Sequence, residues 1–157
     1  MKITGAIFDM DGWHLIFLTT EVRPELGTER GGCYKAQFLA DTTLDWLRRD
    51  LDGTTLPTLI FAHYALAEDE SITDDCMFMK NRGDVKKIIN ESDKVKAVFS
   101  GHQHKTKTII ENSIPYYLLG SMITPDSEEG KPAAVYLEIE TYKSGELSVV
   151  TRKIEKY

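Results

Sequence analysis

The sequence predicts an α/β domain with a mixed sheet, flanking helices and a C-terminal β-hairpin. Three observations lead there. Short apolar runs, Leu59-Ile60-Phe61-Ala62 and Val95-Lys96-Ala97-Val98-Phe99, have the length and branching of buried strands. Leu44, Leu47 and Leu51, and later Val85, Ile88 and Ile89, recur at helical spacing. Asp11-Gly12 and Ser144-Gly145 each separate two strand-like runs, a signal for antiparallel hairpins because glycine accepts the positive φ such turns need.

In order, Ile3 to Asp9 and Trp13 to Thr19 form the first hairpin, and the second of these strands is apolar enough to be buried on both faces. Glu21 to Gly32 is polar and glycine-rich, a surface loop. A helix follows, with cap oxygens at Asp41-Thr42-Thr43, Asp45 in its first turn, Arg48 and Arg49 nearer its end, and Asp52-Gly53 stopping it. Pro57 opens the strand that reaches His63. Glu68 to Lys80 is a partly acidic loop whose Asp69, Asp74 and Asp75 are expected to be solvated. Asn81 to Asn90 is the second helix. After the strand at Val95 come two short strands, Thr106 to Ile110 and Pro115 to Leu119, around a turn at Glu111-Asn112. Thr124 to Lys131 is a loop, and Ala133 to Tyr142 with Leu147 to Ile154 make the closing hairpin.

At 157 residues, 41% of them hydrophobic, the chain suits one domain, residues 1–157, with a substantial core. A net charge of −6 with no basic stripe argues against a nucleic-acid partner. No run approaches the ~20 apolar residues of a membrane span, so no membrane partner is expected. Met1-Lys2 leads into an alternating strand rather than a signal-peptide pattern. Cys33 and Cys76 have neither disulfide-framework nor zinc-knuckle spacing and read as free thiols. A cytoplasmic location is the expectation.

Chemistry concentrates at the strand ends, where open α/β sheets place ligands. The central strand runs into Gly101-His102-Gln103-His104, and an upstream strand ends at His63. In extended backbone, residues i and i+2 face the same way, so His102 and His104 are expected to converge, with Gln103 as a turn residue. Neutral imidazole is a common ligand for divalent metals, and His63 makes a third donor for one pocket. His14 lies inside a strand and reads as structural. Phe8-Asp9-Met10-Asp11-Gly12 resembles the start of the haloacid dehalogenase-like phosphatases, whose first Asp is the nucleophile. Trp13 follows where that family has Thr or Val, so the hairpin reading is preferred.

The order of the parts resembles the calcineurin-like metallophosphoesterases: the aromatic-rich stretch Phe8 to Leu18, a helix with Leu44-Asp45-Trp46-Leu47, a strand ending in His63, an Asn-Arg at Asn81-Arg82, and Gly-His-x-His at Gly101 to His104. The resemblance runs from about Ile7 to Leu119 and implies a metallophosphoesterase-type β-sandwich with helices outside. It implies hydrolysis of a phosphoric ester by metal-activated water, His63 and His102 on one metal and His104 on the other. Mn, Fe or Zn would serve with imidazole ligands. Asn81 and Arg82 become possible substrate-side residues. The family's earlier motifs, Asp-x-His, Gly-Asp and Gly-Asn-His, are not found in place. The chain therefore resembles the C-terminal part of such a domain, without the motif that carries the catalytic histidine, and would hold one ion or none by itself. Loop carboxylates such as Asp69 or Asp74 could assist.

A phosphoester small molecule is the implied substrate. The sheet face that normally meets the absent half would be left apolar and open, so a homodimer or association with that half is expected. The alternative function is a non-catalytic binding or assembly module that keeps the fold.

Overall fold

The computed structural model describes residues 5–22, 37–71, 77–121 and 135–154. Cys33, Cys76, Asp74, Asp75 and most of the loops expected at 21–32 and 124–131 lie outside them. The strands are β1 (Gly5–Met10), β2 (Trp13–Leu18), β3 (Glu21–Val22), β4 (Gln37–Phe38), β5 (Thr58–Ala62), β6 (Val95–Ser100), β7 (Lys107–Glu111), β8 (Ile114–Leu118), β9 (Val135–Thr141) and β10 (Leu147–Lys153). The helices are α1 (Asp41–Gly53), between β4 and β5, and α2 (Arg82–Glu91), between β5 and β6. Neither is long and apolar enough to cross a membrane.

Six strands form one mixed sheet in the order β1-β2-β5-β6-β8-β7. The inner four, β2, β5, β6 and β8, are parallel, while β1 and β7 close the edges antiparallel. Asp11 and Gly12 both have positive φ, 51° and 84°, as the two central residues of a primed hairpin turn require. The second turn falls at Asn112 and Ser113, also both at positive φ, one residue later than expected.

Each helix lays its apolar stripe on the same side of the sheet. Leu47 and Leu51 of α1, and Val85, Ile88 and Ile89 of α2, pack in one cluster with Ile16, Ile60, Val98 and Tyr116. The cap oxygens expected for α1 are not used: the capping position is Ala40, and Asp41 is already helical. Asp41 instead sits in the first turn, where its charge complements the helix dipole.

On the opposite side, β9 and β10 form a separate two-stranded sheet. Leu137, Ile139, Leu147 and Val149 pack against Trp13, Leu59, Ala97 and Phe99, and the Trp13 indole N–H donates to the Tyr142 carbonyl at 3.0 Å. The result is a helix layer, a six-stranded layer and a narrow second sheet. The hairpin does not cover the whole face. Phe8 and Phe17 remain 59% and 38% exposed, so β2 is not buried on both sides as expected.

A candidate metal centre at the strand ends

Ala62 and Ser100 are register partners on β5 and β6, so the chain leaves both strands side by side. The Gly101 N–H donates to the His63 carbonyl at 3.1 Å, and the Leu119 N–H to the Ser100 carbonyl at 2.9 Å, which ties the ends of β5, β6 and β8 together. His102 Nδ1 then lies 3.2 Å from His63 Nε2, with ring centroids 5.0 Å apart and the planes at 68°. The Tyr64 ring packs 4.2 Å from that of His102 and edge-on to that of His63. Burial raises the Tyr64 hydroxyl pKa, so it stays protonated near neutrality.

The histidine pair of the central loop is built differently from the expectation. His102 and His104 have φ of 64° and 55°, left-handed backbone rather than extended. At His102 the cause is a tight turn in which the Gln103 N–H donates to the Gly101 carbonyl at 2.7 Å. Such backbone costs of order 1–3 kcal/mol per non-glycine residue and clusters at functional sites. Gln103 is a turn residue, as expected, and its side chain is buried.

His63, His102 and His104 all line one cleft of about 740 Å³. His104 makes no hydrogen bond, ion pair or ring contact among the described residues. No group of three or more His, Cys, Asp or Glu side chains close enough to hold one metal ion occurs among the described residues. The close pair is therefore His63 with His102, and His104 shares their cleft.

Phe17, Phe61 and Phe99 floor the cleft, as part of an aromatic ladder that no single stretch of sequence announces. Phe17, Phe61, Phe99 and Tyr117 each stand one residue before the end of a parallel strand. In-register pairing stacks them into a ladder with centroids 4.8, 5.0 and 5.1 Å apart and planes within 16° of parallel. Tyr136, Leu137 and Ile139 of β9 form the facing wall.

The remaining sequence candidates sit elsewhere. Asn81 does not line the cleft. Its Oδ1 accepts from the Leu39 N–H at 3.0 Å and its Nδ2 donates to the Leu39 carbonyl at 2.8 Å, bracketing the backbone of one residue. Arg82 donates from Nε to Glu68 Oε1 at 2.8 Å and lies over the Phe78 ring. Asp69 is not the solvated charge expected of a loop acid: it is only 5% exposed. It accepts from Ser71 and from Lys107 Nζ at 3.1 Å. Burial opposes its charge, but those hydrogen bonds and the lysine outweigh it and lower its pKa. Asp9, the nucleophile of the dehalogenase reading, sits on the antiparallel edge strand β1, and a turn rather than a helix follows.

The donors fit one ion in part. Zn–N bonds of about 2.0–2.1 Å at a tetrahedral angle put ligand nitrogens roughly 3.3–3.4 Å apart, close to the 3.2 Å of the His63–His102 pair. They do not fit a two-metal centre alone. Two divalent ions side by side repel strongly and need anionic bridging ligands, and no carboxylate is among the described residues of the cleft.

This architecture is a mixed α/β fold, with a six-stranded mixed sheet, two helices and a C-terminal antiparallel hairpin among the described residues. It is similar to a dimetal phosphatase from Danio rerio, with a TM-score of 0.62 and 15% identity over 79% of this chain and 51% of that one. The sulfate thiohydrolase SoxB of Thermus thermophilus matches at a TM-score of 0.50 and 8% identity, over 94% of this chain and 24% of the other. A candidate 5′-nucleotidase from Staphylococcus aureus matches at 0.50 and 14%, over 96% and 28%. The chain thus spans about half the length of the first of these structures and about a quarter of the other two. No family model matches the sequence, and no curated protein matches it.

Proposed function

We propose that this chain carries the C-terminal half of a metal-dependent phosphoesterase site, with a small phosphoric ester as substrate. The observation that supports this best is the approach of His63 Nε2 to His102 Nδ1 at the ends of adjacent parallel strands. In this reading the two imidazoles hold one divalent ion, Mn, Fe or Zn. A bound ion would supply a hydroxide nucleophile near neutral pH by lowering the pKa of its water. Tyr64 fixes the orientation of both rings by packing on them. His104 faces the same cleft with its ring unengaged among the described residues, ready to take a second ion or a phosphate oxygen.

The anionic ligands would come from a complementary half-domain or a second copy of the chain. The partly open aromatic face, with Phe8 and Phe17 exposed, is the surface for that association. The absence of carboxylates from the described cleft favours a second reading, a binding or assembly module that keeps the fold without the chemistry. Light scattering gives the association state, and a stable monomer at high concentration contradicts the partner reading. Hydrolysis of a generic phosphodiester with added Mn separates the two functions. Manganese-dependent turnover lost in both His63→Ala and His102→Ala supports the esterase. Metal binding without turnover, in the chain and in its assemblies, supports the module.

A further inference from the structure

A second polar cluster lies away from the cleft, on the helix side of the sheet. His14 of β2 is 5% exposed and sits between two carboxylates. Its Nδ1 is 2.6 Å from Asp9 Oδ1 on the edge strand β1, and its Nε2 is 2.8 Å from Asp50 Oδ2 on α1. An ionised carboxylate only accepts hydrogen bonds, and a neutral imidazole carries one N–H. Both contacts are therefore hydrogen bonds only when both ring nitrogens are protonated.

We propose that His14 is a proton-operated latch: as imidazolium it fastens Asp9 of the edge strand to Asp50 of the helix, and loss of its proton releases Asp9. Deprotonation leaves a lone pair facing a carboxylate oxygen at under 3 Å, which is repulsive. Asp9 is the partner that yields, because its side chain is 66% exposed and can turn into water, whereas that of Asp50 is 13% exposed and fixed on α1.

The other neighbours do not replace the proton. Arg49 of α1 lines the same cavity but makes no ion pair with either acid among the described residues. Thr54, Thr55 and Leu56 of the connection after α1 are uncharged. The Pro57 carbonyl accepts the His14 backbone N–H, and its register partner on β5, Thr58, is neutral. Burial of the ring disfavours its charge, but the hydrogen bonds and charges of Asp50 and Asp9 outweigh this and raise its pKa above the ordinary 6.5. The latch is closed while His14 is protonated and both carboxylates are ionised, and it opens as pH rises through that higher value.

The test is to titrate His14 by NMR in the intact chain while following hydrogen exchange, corrected for intrinsic base catalysis, in the β1–β2 hairpin. The expected result is a His14 pKa above 6.5. Protection of the hairpin amides then falls by up to tenfold per pH unit as pH rises towards that pKa and levels off above it, as one linked proton requires, while β5–β6 amides keep theirs. Asp9→Asn, at an exposed carboxylate, lowers the His14 pKa without disturbing the core. His14→Gln removes the pH dependence. A His14 pKa at or below 6.5, or hairpin protection that ignores its titration, overturns the latch.

Discussion

Truncating Phe61 tests the aromatic ladder as the element that sets the strand ends. Its ring is stacked on both sides, 4.8 Å from Phe17 and 5.0 Å from Phe99. A buried Phe→Ala change costs about 3–5 kcal/mol, and each aromatic pair adds about 0.5–1.5 kcal/mol beyond area. Phe61 is half-buried and forms the floor of an open cleft, so water fills part of the space it vacates. Phe61→Ala is therefore expected near the lower bound, about 3 kcal/mol. That is a large share of the ~5–15 kcal/mol that holds a typical domain together. For a chain of this size it lowers Tm by about 6–12 °C. Phe61→Leu keeps most of the volume and costs about 1 kcal/mol. Urea titration followed by far-ultraviolet circular dichroism reads both. Phe61 lies two residues before His63, so Phe61→Ala also weakens divalent-metal binding while Phe61→Leu largely spares it. A loss below about 1 kcal/mol for Phe61→Ala refutes the ladder as a stabilising unit.

Asn81→Ala removes both hydrogen bonds to the Leu39 backbone and should cost about 1–3 kcal/mol in urea denaturation, with metal affinity unchanged. A selective loss of substrate binding instead would restore Asn81 to the site. The pH profile of thermal stability should fall off on both sides. His14 has a raised folded pKa, so its contribution is complete below its unfolded value and disappears as pH rises through the folded one. Asp69 has a lowered folded pKa, so its contribution is present above the unfolded value and disappears as pH falls through the folded one. Asp69→Asn should flatten the acid limb and His14→Gln the alkaline limb. Gly12→Ala puts a side chain at φ 84° in the first hairpin turn and should destabilise by about 1 kcal/mol, measurable as a fall in Tm.

The fold was legible where the physics is local. Asp11-Gly12 named its hairpin, and Val85, Ile88 and Ile89 named the buried face of α2 to the residue. His63 and the Gly101–His104 loop were placed at strand ends by the apolar runs before them, and the structure sets them there. What failed was backbone conformation inside the histidine loop. An i, i+2 argument assumes extended chain, whereas both histidines have left-handed backbone, His102 at the centre of the Gly101–Gln103 turn. Long-range partners were also invisible. Asp69 read as a solvated acid because its lysine lies 38 residues on, and Asn81 read as substrate-side because its Leu39 partner lies 42 residues back. The ladder needs the register of four strands at once, which no single window of sequence contains.

The most direct test of the central claim is X-ray absorption on the chain loaded with one equivalent of Zn. The account predicts two imidazole nitrogens in the first coordination sphere at about 2.0–2.1 Å, one lost in each of His63→Ala and His102→Ala and neither in Asn81→Ala. Zinc that binds with the same spectrum and affinity in the His63→Ala, His102→Ala double variant contradicts it.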